Sequence, residues 1–236
     1  ANCTEAGYEG RTYCENCNSV VDFGTVIEAN GHDYAIVNDQ FACSVEGCGH
    51  VYDSGTGIFK MNDKTYYSIA GKLVSGWQNV DGEYIYIDPV TLEVQTGTVT
   101  VSGITYNTDE NGFVSPVWVT DSNGTKLSYG PMFHTREWVE IDGAKYYFGT
   151  NSYMYTGVRF IAVNRNNIKE GYRVYTFDTD GKLLDDMLDA SGIIKSEIDG
   201  TFYVENGKSV YGGLMLIDGA YYYARTSGEI VCGKKY

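Results

Sequence analysis

The stretch Trp138-Val-Glu-Ile-Asp142-Gly143-Ala-Lys-Tyr146-Tyr147-Phe148 constrains this chain more than any other. It reads as an apolar strand, a two-residue Asp-Gly turn and an aromatic return strand. A type I′ turn needs positive φ at both central residues, which glycine adopts without steric cost and aspartate tolerates. The Tyr-Tyr-Phe run suits a pleated strand, where flat rings pack against cross-strand neighbours. Downstream, Tyr153-Met-Tyr155-Thr-Gly157 makes a second turn that passes the chain onward.

This device recurs from about Ile58. The glycine of the hairpin turn is expected at Gly82, Gly103, Gly124, Gly143, Gly171, Gly200 and Gly219, giving successive spacings of 21, 21, 19, 28, 29 and 19. A period near 20 with two longer steps predicts a repeat array with insertions, one of them in Asn164–Ile168. An earlier copy is Met61-Asn62-Asp63-Lys-Thr-Tyr66-Tyr67, and the last is Leu216-Ile-Asp218-Gly219-Ala-Tyr221-Tyr222-Tyr223. Second turns are expected at Gly71, Asn111-Gly112, Asp180-Gly181, Asn206-Gly207 and Ser227-Gly228. A lone hairpin is marginal in water, whereas stacked hairpins share the burial of their aromatic faces. Only Leu183–Ala190 has some helical character.

The totals agree with many short strands: 22 Tyr and 29 Gly against 3 Pro in 236 residues. No apolar run approaches the roughly 18 residues of a membrane span. A net charge of −14 argues against nucleic acid as a partner, because phosphate binding needs a concentrated basic face. Five of the six cysteines and two of the three histidines fall before the Gly-rich step Ser54-Gly-Thr-Gly57. That step is the expected domain boundary, with a Cys-rich segment over 1–57 and the hairpin array over 58–236. The chain opens inside a motif, which reads as a piece of a longer protein with further domains.

Gly76-Trp77-Gln-Asn-Val-Asp81-Gly82-Glu-Tyr84-Ile-Tyr86, together with the Trp138 stretch, resembles the cell-wall-binding repeat superfamily. That group includes choline-binding repeats, glucan-binding repeats and the repetitive receptor-binding regions of clostridial toxins. The resemblance implies an all-β solenoid of hairpins on a secreted or surface protein of a Gram-positive bacterium, binding a polysaccharide or cell-wall polymer. The chain departs from the choline-binding pattern, because no tryptophan occupies the return strands and Gly76-Trp77 is the lone Gly-Trp step. A quaternary ammonium is best held by an electron-rich cage containing tryptophan, so choline is expected to bind no better than about millimolar. In the superfamily the ligand sockets lie between successive hairpins. Trp77 and Trp138 open units there, and Tyr67, Tyr86 and Tyr147 would supply the other walls, although any single inward tyrosine is core by default.

In the first segment, Cys14-Glu-Asn-Cys17 and Cys43-Ser-Val-Glu-Gly-Cys48 form two knuckles with 25 residues between Cys17 and Cys43. Paired short-spaced cysteines bring four thiolates to a tetrahedral Zn²⁺, so Cys14, Cys17, Cys43 and Cys48 are the expected ligands of a structural zinc. Disulfides are the competing reading for an extracellular chain. The segment resembles a zinc ribbon, or the Cys/His repeats of secreted Firmicute proteins. That second resemblance offers two further ligand sets: Cys3, Cys14, Cys17 and His32, or His32, Cys43, Cys48 and His50.

No catalytic constellation is evident. Gly-x-Ser-x-Gly, His-Glu-x-x-His and phosphate-loop motifs do not occur, and His134 has Glu137 nearby without a nucleophile. Asp178-Thr-Asp180-Gly181 lacks the bidentate glutamate of a calcium loop and reads as a hairpin turn. The expected function is non-catalytic binding. The alternative is a protein-interaction or spacer element that projects a neighbouring domain.

Overall fold

A computed structural model describes residues 2–210 and 212–231, so Cys232 lies outside the described residues. The described chain is β-structure apart from one 3-10 turn, Ile168–Glu170. It divides into two compact units, 1–115 and 116–236, and the composition change at 54–57 falls inside the first.

Eight antiparallel hairpins follow residue 56. Three belong to the first unit: Gly57–Met61 with Lys64–Ile69, Gly76–Val80 with Glu83–Ile87, and Thr98–Val101 with Ile104–Asn107. Five belong to the second: Val117–Asp121 with Gly124–Tyr129, Glu137–Ile141 with Ala144–Phe148, Gly157–Ala162 with Tyr172–Phe177, Gly192–Ser196 with Gly200–Glu205, and Gly213–Ile217 with Ala220–Ala224. The Asp-Gly turns form for the expected reason: φ is +50° at Asp142 and +76° at Gly143. Asn62-Asp63, Asp81-Gly82, Ser102-Gly103 and Asp218-Gly219 also have both residues in the left-handed region.

Three of the recurring glycines do something else. Gly124 and Gly200 open the return strand one step after the loop, at φ +139° and +102°. Gly171 ends the nine-residue connection 163–171, where the expected insertion lies and where the 3-10 turn forms. The second turns repeat one pattern. At Asp109 and at Asp178 the carboxylate accepts a main-chain N–H four residues on, at 2.9 and 2.8 Å, and the carbonyl accepts the N–H of Gly112 or Gly181. Asp178–Gly181 is therefore a turn built like Asp109–Gly112. Leu183–Ala190 is not helical: Leu183–Asp185 is a strand paired with Tyr172–Phe177, and the Asp185 carboxylate caps the N–H of Met187.

Within each unit hairpins are joined through the main chain by bonds that span 29 or 30 residues. The N–H of Val94 donates to the Thr65 carbonyl at 2.8 Å and that of Val114 to Tyr84 at 2.9 Å. In the second unit Met154 donates to Thr125 at 2.7 Å. In every case the donor follows the next hairpin, so each hairpin is tied to the segment that closes its successor. Apolar side chains fill the layers so made: Tyr67, Ile85, Ile87 and Val94 in the first unit, Leu127, Tyr146 and Phe148 in the second.

The two long spacings mark a change of plan. Residues 157–209 form one six-stranded sheet instead of separate hairpins. Phe160 and Phe202 lie 4.1 Å apart between ring centroids, beside Val174 and Val204, which have no exposed surface. The buried Arg159 makes a two-point contact with Asp199, at 2.8 and 3.1 Å, and lies 3.4 Å above the Tyr155 ring. The N–H of Phe160 donates to the same carboxylate at 2.9 Å. Breaking such a pair strands a charge in a poorly solvated place. Asp199→Ala is expected to lower stability by about 3 kcal/mol in urea denaturation, and a loss below about 1 kcal/mol would show that water solvates the guanidinium instead.

Candidate functional site

Each tryptophan stands four residues before the first turn residue of its hairpin: Trp77 before Asp81, Trp118 before Ser122 and Trp138 before Asp142. Its ring then reaches past its own cross-strand partner to the aromatic return strand of the following hairpin. Trp138 pairs in register with Tyr147 and packs on Tyr175 at 5.0 Å and Phe177 at 5.8 Å. Trp118 pairs with Leu127 and packs on Tyr146 at 5.1 Å and Phe148 at 6.0 Å. Trp77 contacts Tyr86 at 5.1 Å and Tyr106 at 5.2 Å. Trp118 and Trp138 are both 40% exposed, a large open surface for an aromatic ring.

The exposed rings border grooves. Trp138 lines one of about 430 Å³ with Val139, Glu140, Lys145, Tyr175, Leu183 and Asp186. Trp118 lines one of about 290 Å³ with Thr125, Tyr146, Met154, Thr179 and Asp180. Each offers an aromatic wall and a few polar side chains, the composition of a small-ligand site. Burial pushes the Tyr175 phenol above its ordinary range, so it stays neutral and able to donate a hydrogen bond.

The expected tyrosine walls are placed differently. Tyr67 and Tyr147 are 8% and 6% exposed and belong to the packed layers; their strand neighbours Tyr66, Tyr146 and Phe148 are buried as well, so both faces of these return strands are covered. Tyr147 backs the Trp138 ring at 5.2 Å without lining its groove. Tyr86 is half-buried against Trp77. Trp118 was not among the expected site residues, although its signal was present. Taking Gly124 as the turn shifts the count by one residue and hides the equivalence with Trp77 and Trp138. His134 serves structure: its Nδ1 lies 2.9 Å from Glu137 Oε1, and its ring rests near Phe148.

The first segment presents a second cluster. Ligand atoms of Cys3, His32, Cys43 and Cys48 all lie within 4.8 Å of one another, and such a group could hold a metal ion. The knuckles do not converge: Cys14 and Cys17 are outside this group, on the hairpin Thr12–Cys14 with Ser19–Asp22, where the Cys17 thiol meets Ser19 Oγ at 2.8 Å. His50 is also outside it; its Nδ1 pairs with the Tyr34 hydroxyl at 3.1 Å while its ring stacks on His32 at 4.1 Å. Burial and the neighbouring thiols of Cys48 and Cys43 push Cys3 up to about 12. Burial also opposes ionisation of Cys43, but hydrogen bonds from the Val45 N–H, His32 and Cys48 outweigh it and bring that thiol down to about 6.

The family comparison matches residues 137–151, the Trp138 strand, its Asp-Gly turn and the return strand. The family matched over this stretch is described as a putative cell wall binding repeat. The chain is similar to toxin A of Clostridium novyi, 29% identical over 118 residues, which is 45% of this chain and 5% of the toxin. It is also similar to glucosyltransferase-I of Streptococcus downei, 26% identical over 138 residues, 55% of this chain and 8% of that enzyme. The chain thus spans a small fraction of the relatives it matches. Among solved structures, choline binding protein F of Streptococcus pneumoniae aligns over 87% of this chain and 81% of its own, at 18% identity and a TM-score of 0.37. No helix among the described residues is long and apolar enough to cross a membrane.

The two aromatic positions should separate in stability. Tyr147→Ala removes a packed ring and is expected to cost about 3–5 kcal/mol. Trp118→Ala should cost clearly less, because much of its ring already faces water. Thermal melts of the two variants check this, and an equal drop in Tm would place Trp118 in the core.

Proposed function

We propose that this chain is a non-catalytic binding module that holds a cell-wall or other polysaccharide on the Trp118 and Trp138 grooves. One observation supports the reading above the rest. Two tryptophans in equivalent register positions each leave a broad face open beside a groove floored by aromatic rings. A flat, exposed, amphipathic ring offers area at little entropic cost and suits the apolar face of a pyranose. Glu140, Asp186 and Lys145 in one groove, and Thr125, Thr179 and Asp180 in the other, supply acceptors and donors for sugar hydroxyls. The net charge of −14 favours neutral or amino-bearing polymers over polyanions. The matched repeat supports an extracellular setting at the cell surface, and the streptococcal and clostridial relatives support a Gram-positive source.

Choline fits this geometry poorly. A cation held between two rings lies within about 6 Å of each centroid and keeps them apart. Trp138 already touches Tyr147 and Tyr175 at 5.2 and 5.0 Å, which leaves no room between them for a trimethylammonium group.

Binding to dextran and to purified Gram-positive wall sacculi, measured by cosedimentation and calorimetry with choline as comparison, tests the reading. Retention on at least one polysaccharide is expected, with choline no tighter than about millimolar, near −4 kcal/mol. Trp118→Ala or Trp138→Ala should weaken retention about tenfold, or about 1.4 kcal/mol, and the double variant should abolish it. Full retention by the double variant would move the site elsewhere. Failure of the unaltered chain on every polymer would leave the spacer reading standing.

A further inference from the structure

Residues 2–57 bury almost nothing. Among the described residues of this segment only Cys3 and Phe41 are buried, while Tyr8, Tyr13, Val21, Phe23, Val26 and Ile27 are exposed. Phe41 packs on Tyr66 and Leu73 of the first repeat, so it belongs to a core the repeat supplies. For residues 2–31 that leaves Cys3, and Cys3 lies in the four-residue cluster. A segment with so little apolar burial is not held by the hydrophobic effect and needs another staple.

The geometry of the cluster specifies which staple. The sulfurs of Cys3 and Cys43 are 3.8 Å apart, and Cys48 Sγ lies 3.3 Å from His32 Nδ1. A disulfide would need about 2.05 Å between sulfurs. With Zn–S near 2.3 Å and Zn–N near 2.0–2.1 Å, the edges of a tetrahedron come to about 3.8 Å for S–S and about 3.5 Å for S–N. The backbone already brings the four positions together. Asn30 N–H donates to the Asn2 carbonyl at 3.0 Å, Ser44 to Asp33 at 2.7 Å and Cys43 to His50 at 2.8 Å. A tight turn, with Cys48 N–H on the Val45 carbonyl at 3.0 Å, then carries Cys48 back beside Cys43.

We propose that Cys3 Sγ, His32 Nδ1, Cys43 Sγ and Cys48 Sγ are the ligands of one structural Zn²⁺, and that Cys14 and Cys17 take no part. Three soft sulfurs and one imidazole select zinc over calcium or magnesium. Four protein ligands close the tetrahedron and leave no position for a reacting water, so the ion is structural. His50 supports the site from behind, stacked on His32 at 4.1 Å and oriented by Tyr34. The ion would tie the N-terminal end, through Cys3, to the hairpin Tyr34–Val37 with Gln40–Cys43, which itself packs on the first repeat.

The test uses the 236-residue chain purified without added metal. Elemental analysis should give about one zinc per chain, and Co²⁺ in its place should show sulfur-to-metal charge-transfer absorption. Cys3→Ser, Cys43→Ser and Cys48→Ser should each lower zinc affinity at least tenfold in a chelator competition. The Cys14→Ser/Cys17→Ser double variant should keep wild-type stoichiometry and spectrum. All three tryptophans lie outside the segment, so unchanged tryptophan fluorescence shows in each variant that the repeats still fold. A metal-free wild-type chain, or a native disulfide at Cys43 or Cys48, overturns the proposal. Zinc retained in Cys3→Ser but lost in Cys14→Ser/Cys17→Ser overturns the ligand set and restores a site built on the Cys14–Cys17 knuckle.

Discussion

Pairs of adjacent residues held at positive φ are the constraint on which five of the eight hairpins depend. At Asp142-Gly143, Asp81-Gly82, Ser102-Gly103 and Asp218-Gly219 the chain reverses within two residues and fixes the register of the strands on either side. Register decides which side chains face inward, since a slip of one residue exchanges the two faces of a strand. A hairpin so closed still has two unsatisfied edges and too little core to persist alone. The main-chain bonds that span 29 or 30 residues, Val94 to Thr65, Val114 to Tyr84 and Met154 to Thr125, satisfy part of each edge and bring the next aromatic layer into contact. Local turn chemistry and stacking between hairpins are therefore one mechanism acting at two ranges.

The same stacking divides the aromatic residues by role. Return-strand rings such as Tyr67, Tyr146, Tyr147 and Phe148 are enclosed by the neighbouring hairpin and carry stability. The tryptophans on the outgoing strand reach across the gap to the next return strand, and Trp118 and Trp138 each keep one side open. Binding surface and core thus share a seam, and the exposed ring is positioned by the buried ones beneath it. Where the spacing lengthens, after Gly157, the pattern gives way to a continuous sheet held by Phe160, Phe202 and the Arg159–Asp199 pair, and no tryptophan follows.

The N-terminal segment solves its stability problem by different means. Its strands are short and its apolar residues are largely wet, so packing contributes little. What it has is a convergence of three thiols and an imidazole, drawn from positions 3, 32, 43 and 48 by turns and isolated main-chain bonds. The docking of Phe41 on Tyr66 and Leu73 ties this segment to the first repeat.

The sequence by itself determined the all-β class, the number of hairpins, the type I′ turns and the site of the insertion at 164–168. All of these follow from local chemistry: glycine and asparagine or aspartate at positive φ, and aromatic or β-branched runs in pleated strands. The Trp77 and Trp138 positions were legible too, because their distance from the turn is fixed along the strand. Trp118 was obscured by a loop in which the glycine follows the turn instead of forming it. Tertiary structure alone decided that Tyr67 and Tyr147 are buried, since that depends on neighbouring segments covering both faces of their strands. It also decided that Cys3 and His32, and not Cys14 and Cys17, meet Cys43 and Cys48. Sequence spacing can pair cysteines within a knuckle, but which knuckles meet depends on how separate hairpins fold back on one another, and no local pattern records that.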